Sequence, residues 1–276
     1  MNFGDTTALT EAVIGRFANT PDARLKTIMT SLVLHLHDFA RQVQLTESEW
    51  LQAVQFLTET GHACQDGRQE FVLLSDVLGL SMLTVEMNQQ MPKGCTEATV
   101  LGPFFVQDAP QYALGDDVAH GASGAPCFVS GIIKALDGSP IAHARMDVWQ
   151  ADDQGEYDVQ KLDLDRAQAR GVLHADDQGR FHFKTILAEP YPIPTDGPVG
   201  QLLKATCRSP WRPAHLHFKI QAPGYQTLIT HVFRRGDPYL DSDPVLGVRQ
   251  SLIADWSQQP DGTTRLVFDF VLNRQL

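Results

Sequence analysis

The sequence predicts a mainly β chain: a two-layer β-sandwich over residues 101–276, preceded by a helical segment over residues 1–100. Two prolines, Pro21 and Pro92, stand before residue 101, and the other fourteen of the 16 follow it. Apolar residues recur every three to four positions in the first part and in short, often alternating runs in the second. Turn chemistry separates those short runs. With 276 residues the chain has room for one or two domains.

The helical part opens on Thr20-Pro21-Asp22, a hydroxyl to cap, a proline for the first helical position and an acid for the positive dipole end. Leu25, Ile28, Met29, Leu32, Leu36, Phe39 and Ala40 follow at helical spacing. Thr46 and Glu49 form a capping box ahead of Trp50, Leu51, Val54 and Leu57. A third apolar helix carries Phe71, Leu74, Val77, Leu78 and Leu83. These stripes are expected to be core. The strand candidates are FVSGIIKAL, ARMDVWQA, GRFHFKTI, AHLHFKIQA, TLITHVF and TRLVFDFVL, rich in β-branched and aromatic residues. Between them lie Asp137-Gly138, Asp177-Gln178-Gly179, Pro223-Gly224 and Asp261-Gly262. DDQG occurs at 152–155 and 176–179, and because its surroundings differ it reads as one turn used twice.

Composition excludes several classes. A net charge of -11 argues against a nucleic-acid partner. No apolar run approaches the roughly 18 residues of a membrane span. The start MNFGDTTALTE lacks the basic and apolar regions of an export signal. Cys64, Cys95, Cys127 and Cys207 form no CxxC pair, as expected of reduced thiols in the cytoplasm.

Chemistry concentrates in Arg212-Pro213-Ala214-His215-Leu216-His217-Phe218. On a strand His215 and His217 face one side, about 6.6 Å apart along the backbone. Two imidazoles so placed can converge on a metal with bonds of about 2.0–2.1 Å, or simply satisfy each other. Leu216, Phe218 and Ile220 then face the core. His35 and His37 share the spacing but lie on a helix, where they diverge. No nearby Glu suits a cupin, no paired cysteines suit structural zinc, and no neighbouring acid completes a two-histidine, one-carboxylate site. Tyrosines remain, and there are five. Tyr157 follows a strand, and Tyr191 is held extended between Pro190 and Pro192. Either alone reads as a turn tyrosine on a sandwich edge. Together with the two histidines they would make a ferric site, since phenolate is a hard anionic ligand and the metal's charge lowers its pKa.

These residues resemble the intradiol ring-cleaving dioxygenases, Fe(III) enzymes that open catechols between the two hydroxyls. The resemblance covers nearly the whole chain: Gly131, Gly138, Ile141, Met146-Asp147-Val148, Gly155-Glu156-Tyr157, Pro190-Tyr191-Pro192-Ile193-Pro194 and Arg212 to His217. It implies one Fe(III) per subunit on Tyr157, Tyr191, His215 and His217. Tyr191 would leave the iron as it takes a substrate proton, and Arg212 would stabilise charge on the activated ring. His231 stands where many relatives carry glutamine, and it counts with Arg212 and Tyr191 as catalytic. The helices would form a homodimer interface, with phospholipid enclosed as in the catechol dioxygenase type.

Within the family the sequence is most similar to hydroxyquinol 1,2-dioxygenases, largely through Glu70-Phe71-Val72-Leu73-Leu74-Ser75-Asp76-Val77-Leu78-Gly79. That likeness implies benzene-1,2,4-triol as substrate and 3-hydroxy-cis,cis-muconate, or maleylacetate, as product. It places Leu73, Asp76, Val100, Leu101, Gly102, Pro103, Phe104, Ile193, Pro194, Arg212 and Val245 around the substrate. Asp76 can accept a hydrogen bond from a third ring hydroxyl, or it braces a helix. Catechol and chlorocatechol 1,2-dioxygenases are the alternative within the family. A non-catalytic β-sandwich binding module and a zinc hydrolase are the alternatives outside it.

Overall fold

The computed structural model describes residues 6–65, 68–161 and 164–275. A first helix, α1 (Thr6–Gly15), has no acid in its first turn and no start signal in the sequence announces it. In α2 (Ala23–Gln42) the cap is Asp22 and not Thr20. Its carboxylate accepts from the backbone N–H groups of Arg24 (2.8 Å) and Leu25 (3.0 Å). A carboxylate both caps and meets the dipole charge, which a hydroxyl cannot do. The Thr46–Glu49 capping box forms as expected and opens α3 (Glu47–His62): the Glu49 amide donates to Thr46 Oγ1, and the Glu49 carboxylate accepts from the Thr46 N–H.

The expectation that the helical stripes are core fails here. α2 has no buried residue; Leu25, Ile28, Leu32, Leu36 and Phe39 are exposed, as are Trp50, Leu51, Val54 and Leu57. Helix α1, with 10 residues, meets α2, with 20, through Thr10, which lies 2.9 Å from both His37 Nδ1 and Arg41 Nη1. So short a helix, docked on another row, leaves the stripe uncovered. The third apolar run forms two helices, α4 (Glu70–Val77) and α5 (Leu80–Asn88), because Gly79 between them takes φ +76°. Leu74 and Val77 are buried, whereas Phe71, Leu78 and Leu83 are exposed. Contacts divide the chain into Met1–Thr58 and Glu59–Leu276, so α4 and α5 belong to the same unit as the sheets.

The strands follow as β1 (Pro126–Ala135), β2 (Arg145–Trp149), β3 (Arg170–His174), β4 (Arg180–Ile186) and β5 (Tyr191–Pro192), then helix α6 (Pro198–Ala205). After it come β6 (Trp211–Arg212), β7 (His215–Gln221), β8 (Leu228–Arg234), β9 (Ile253–Ala254), β10 (Trp256–Gln258), β11 (Thr264–Val267) and β12 (Phe270–Leu272). One sheet has the order β10-β11-β1-β12 with β4 on β1, the second β3-β2-β7-β8-β9, and β5-β6 forms a separate ribbon. Between the two large sheets lies the core: Val129, Ile133, Phe181, Phe183 and Phe270 from one, Met146, Val148, Leu173, Leu216, Phe218 and Ile220 from the other. This is the expected sandwich, built with mixed pairing, since β11 and β12 run parallel to β1.

The expected last strand is thus two. At the break the Phe268 N–H donates to Ser130 O, and Asp269 accepts from the Ile132 N–H. A Cβ on Gly131 would stand 1.8 Å from Phe268 O, so only glycine admits this crossing. The two DDQG turns match as well. Asp152 Oδ1 accepts from the amides of Gln154 and Glu156, and Asp176 Oδ1 from those of Gln178 and Arg180. Gly155 and Gly179 both have positive φ. No helix among the described residues is long and apolar enough to cross a membrane.

Candidate metal centre

Strand β7 supplies the first two donors. Alternation sends Leu216, Phe218 and Ile220 into the core and puts His215 and His217, both buried, on the other face. Their Nε2 atoms stand 3.1 Å apart. The His215 Nδ1–H donates to Pro213 O at 2.6 Å, which fixes the tautomer and leaves the Nε2 lone pair pointing inward. His217 stacks on Trp149 of β2, its register partner, with ring centroids 4.6 Å apart.

Tyr157 comes from the loop after β2. The first DDQG turn leads into it, its amide donates to Gln160 Oε1, and its ring stacks on Phe104 at 4.4 Å. Beside it the buried Asp158–Arg170 pair braces the loop, and Arg170 Nη1 donates to Phe104 O. Tyr191 lies on β5 opposite Arg212 of β6. A Cβ on Gly155 would stand 2.7 Å from Tyr191 Cβ, so glycine is what lets the two tyrosine segments touch. The Tyr157 hydroxyl donates to that of Tyr191 at 3.1 Å and lies 2.9 Å from His217 Nε2. All four expected ligands are therefore together, joined by separations of 2.9–3.1 Å.

Those separations fit a metal. Two donors at right angles on bonds of about 2.0–2.1 Å lie about 2.9 Å apart. Electrostatics agrees. Burial, with the Arg212 charge beside it, lowers the His215 pKa to about 3. Burial also takes His217 well below the ordinary histidine value, helped by its charged neighbours. Both imidazoles are thus neutral and able to donate a lone pair. Tyr157 lies well above the usual phenol range, because it is buried and next to Tyr191. Its oxygen becomes anionic only beside a strong positive charge, which is what a hard trivalent cation brings. His217 Nδ1 and His231 Nε2 are buried and, among the described residues, without a hydrogen-bond partner.

His231, on β8 opposite His217, completes a buried three-histidine cluster whose nitrogens lie within 4.8 Å of one another. Its Nδ1 is in hydrogen-bond contact with Thr99 Oγ1. Arg212 donates from Nη1 to His215 Nε2 (3.2 Å) and forks onto Asp243. Asp243 and Asp237, which accepts from the Ala214 N–H just before His215, belong to no motif and escape the sequence reading.

A cavity of about 350 Å³ opens beside this cluster. Its lining includes Leu73, Asp76, Val100, Gly102, Pro103, Phe104, Ile193, Pro194, Arg212 and Val245 together with Tyr191. Leu101 is the exception: it packs on the cluster of Phe104, Trp149, Tyr157 and Tyr191 and is outside the lining. Gln65, Arg68, Gln69 and Glu70 also line it, and the sequence points to none of them as a pocket residue. Arg68 pairs with the buried Glu70 and with Asp196. Asp76 is buried, and burial raises its pKa above the usual carboxylate value despite a hydrogen bond from Ser81 and the charge of Arg212.

Comparison with known proteins adds the relatives. Residues 100–274 match a family described as Dioxygenase, and residues 22–96 match one described as Catechol dioxygenase N terminus. The chain is 66% identical over 268 residues to a 6-chlorohydroxyquinol 1,2-dioxygenase of Cupriavidus pinatubonensis, covering 97% of each chain. It is 49% identical to a hydroxyquinol 1,2-dioxygenase of Nocardioides simplex, covering 96% of this chain and 94% of that one. Among solved structures, hydroxyquinol 1,2-dioxygenase from Pseudomonas putida superposes with a TM-score of 0.91 at 42% identity, covering 98% of this chain and 99% of the other.

Proposed function

The chain belongs to the intradiol ring-cleaving dioxygenases, and from that premise we propose that it cleaves benzene-1,2,4-triol between its adjacent hydroxyls, with iron held by Tyr157, Tyr191, His215 and His217. The observation that carries the reading is the coincidence of four donor atoms, linked in a chain by separations of 3.1, 2.9 and 3.1 Å, with a cavity that also displays Asp76 and Arg212. Ferric iron, one per subunit, would supply the electron sink through which a bound catecholate ring becomes reactive toward O2.

The rest falls to the chain's own residues. Tyr191, once its own proton is lost to the charge of a bound metal, would accept the proton of one substrate hydroxyl at Oη, being the tyrosine that lines the cavity. Arg212, a permanent cation across the ribbon from Tyr191, stabilises negative charge as the ring gives up protons. The apolar walls Leu73, Val100, Pro103, Phe104, Ile193 and Val245 hold the ring and exclude water, and Gly102 keeps the wall thin beside His217. His231 presents its unpartnered Nε2 toward the same centre. Asp76 accepts from the third hydroxyl. Catechol would leave that buried carboxyl unmatched, at a cost of about 1–3 kcal/mol.

In the same reading residues 1–100 serve as a helical dimerisation and linker domain and residues 101–276 as the catalytic domain. A second copy of the chain covers the exposed α2 and α3 stripes in a homodimer, with a phospholipid between them, and the enzyme works in the cytoplasm. The exposed Leu32, Leu36, Phe39 and Trp50 support this interface, and four free cysteines fit a reducing compartment.

The test is oxygen uptake by iron-loaded protein with the triol and with catechol, side by side. The expected result is a coloured protein that turns over the triol at least tenfold faster in kcat/KM, in line with about 1.4 kcal/mol of discrimination. Faster turnover of catechol would discard the substrate and keep the ring-cleaving chemistry.

A further inference from the structure

Asp243 is a tightly held carboxylate beside the candidate centre. Its oxygens take Nε (3.0 Å) and Nη2 (3.3 Å) of Arg212 and the Gly247 N–H (3.0 Å). A Cβ on Gly247 would stand 3.3 Å from both Arg212 Nη2 and Asp243 Oδ2, so the backbone closes directly on the pair. Both side chains are almost wholly buried. Burial pushes the Asp243 pKa up, but the Arg212 charge and hydrogen bonds outweigh it, and the carboxyl lies below its ordinary value. A guanidinium forked in this way is held in one plane and direction.

The second carboxyl near Arg212 is Asp76, which lines the cavity and is influenced by both Arg212 and Asp243. Among the described residues Asp76 forms no ion pair, and the Ser81 hydroxyl favours its charged form. Two buried carboxyls therefore lie in the field of a single guanidinium, on a cavity that Asp76 and Arg212 both line, and that guanidinium can neutralise one of them. The fork gives it to Asp243.

We propose that Asp243 is a positioning residue that fixes Arg212 beside Tyr191 and, by engaging that cation, leaves Asp76 free to accept a hydrogen bond from the substrate's third hydroxyl. The second half rests on the triol reading given above; the first half does not.

The experiment is a double-mutant cycle on the iron-loaded enzyme: wild type, Asp243→Asn, Asp76→Asn, the double variant and Asp243→Glu. For each, kcat and KM are measured with benzene-1,2,4-triol and with catechol, and iron content and the visible absorption band are recorded. Asp243→Asn is expected to lower kcat on both substrates by about ten- to a hundredfold, as misplacement of a catalytic group does. It is also expected to abolish triol preference while keeping iron and colour. Adding Asp76→Asn should then remove no further preference, because Arg212 has turned to Asp76. Asp243→Glu keeps the charge, so preference should survive with a lower kcat. Additive losses of preference, wild-type kcat in Asp243→Asn, or loss of iron in both Asp243 variants would overturn the proposal. Should Asp243→Asn fail to fold, Asp243→Glu decides: a lower kcat with preference intact supports the role, and an unchanged kcat refutes it. A wild type without triol preference would sink the substrate reading alone, and kcat on catechol would still test the hold on Arg212.

Discussion

At the scale of single residues, Tyr157 carries the heaviest electrostatic demand. Buried and paired with another phenol, it ionises only beside a cation. Tyr157→Phe should therefore bind iron less firmly and lose much of the visible band, which metal analysis and an absorption spectrum will read. Full retention of both would remove Tyr157 from the ligand set. The four proposed ligands were legible because their local settings are unusual: an HxH on a strand, a tyrosine between prolines and a tyrosine after an Asp-rich turn. Asp243, Asp237 and Thr99 were not, and the reason is distance along the chain. Their partners Arg212, Ala214 and His231 lie 31, 23 and 132 residues away, so nothing local announces them.

Among elements, the tightest requirement falls where β1 passes the break between β11 and β12. Gly131→Ala would drive a methyl against Phe268 O, and overpacking of this kind costs about 1–3 kcal/mol or more. A lower urea midpoint at unchanged slope is the expected result. A variant as stable as wild type would show that the break repacks freely. Strand runs were readable because period two and turn residues coincide, as at Asp137-Gly138 and Asp261-Gly262. Helix breaks were harder. Gly79 takes the left-handed position just after α4, which glycine adopts freely, but a lone glycine among apolar residues does not by itself say that a helix stops there. The stripes of α2 and α3 were read correctly as helical and wrongly as core, since periodicity says that a face is apolar but not what covers it.

For the whole molecule, two predictions concern forces that no single element sets. His215, with a pKa of about 3 when folded against about 6.5 when unfolded, takes up its proton on unfolding. Its contribution to stability is complete above about pH 6.5 and is lost as pH falls from there toward 3. His217 and His231 shift the same way, driven first by burial. The melting temperature of metal-free protein should thus be level above about pH 7 and fall steadily below it, with a shallower fall in His231→Gln. A flat profile would contradict neutral burial of the three rings. The second prediction concerns assembly: Leu32→Glu, on the exposed α2 stripe, should halve the mass seen by light scattering if a second copy covers that face. An unchanged mass would place the interface elsewhere. The cavity, finally, draws its parts from separate stretches of chain. Leu73 and Asp76 come from α4, while Tyr157, Tyr191, His215 and His217 all lie beyond residue 150. A gene cut near residue 100 would keep every proposed iron ligand and lose Leu73 and Asp76, the part of the wall that α4 supplies. Chemistry and taste can therefore be inherited separately, and recombination between relatives could graft a new preference onto an old reaction without touching a ligand.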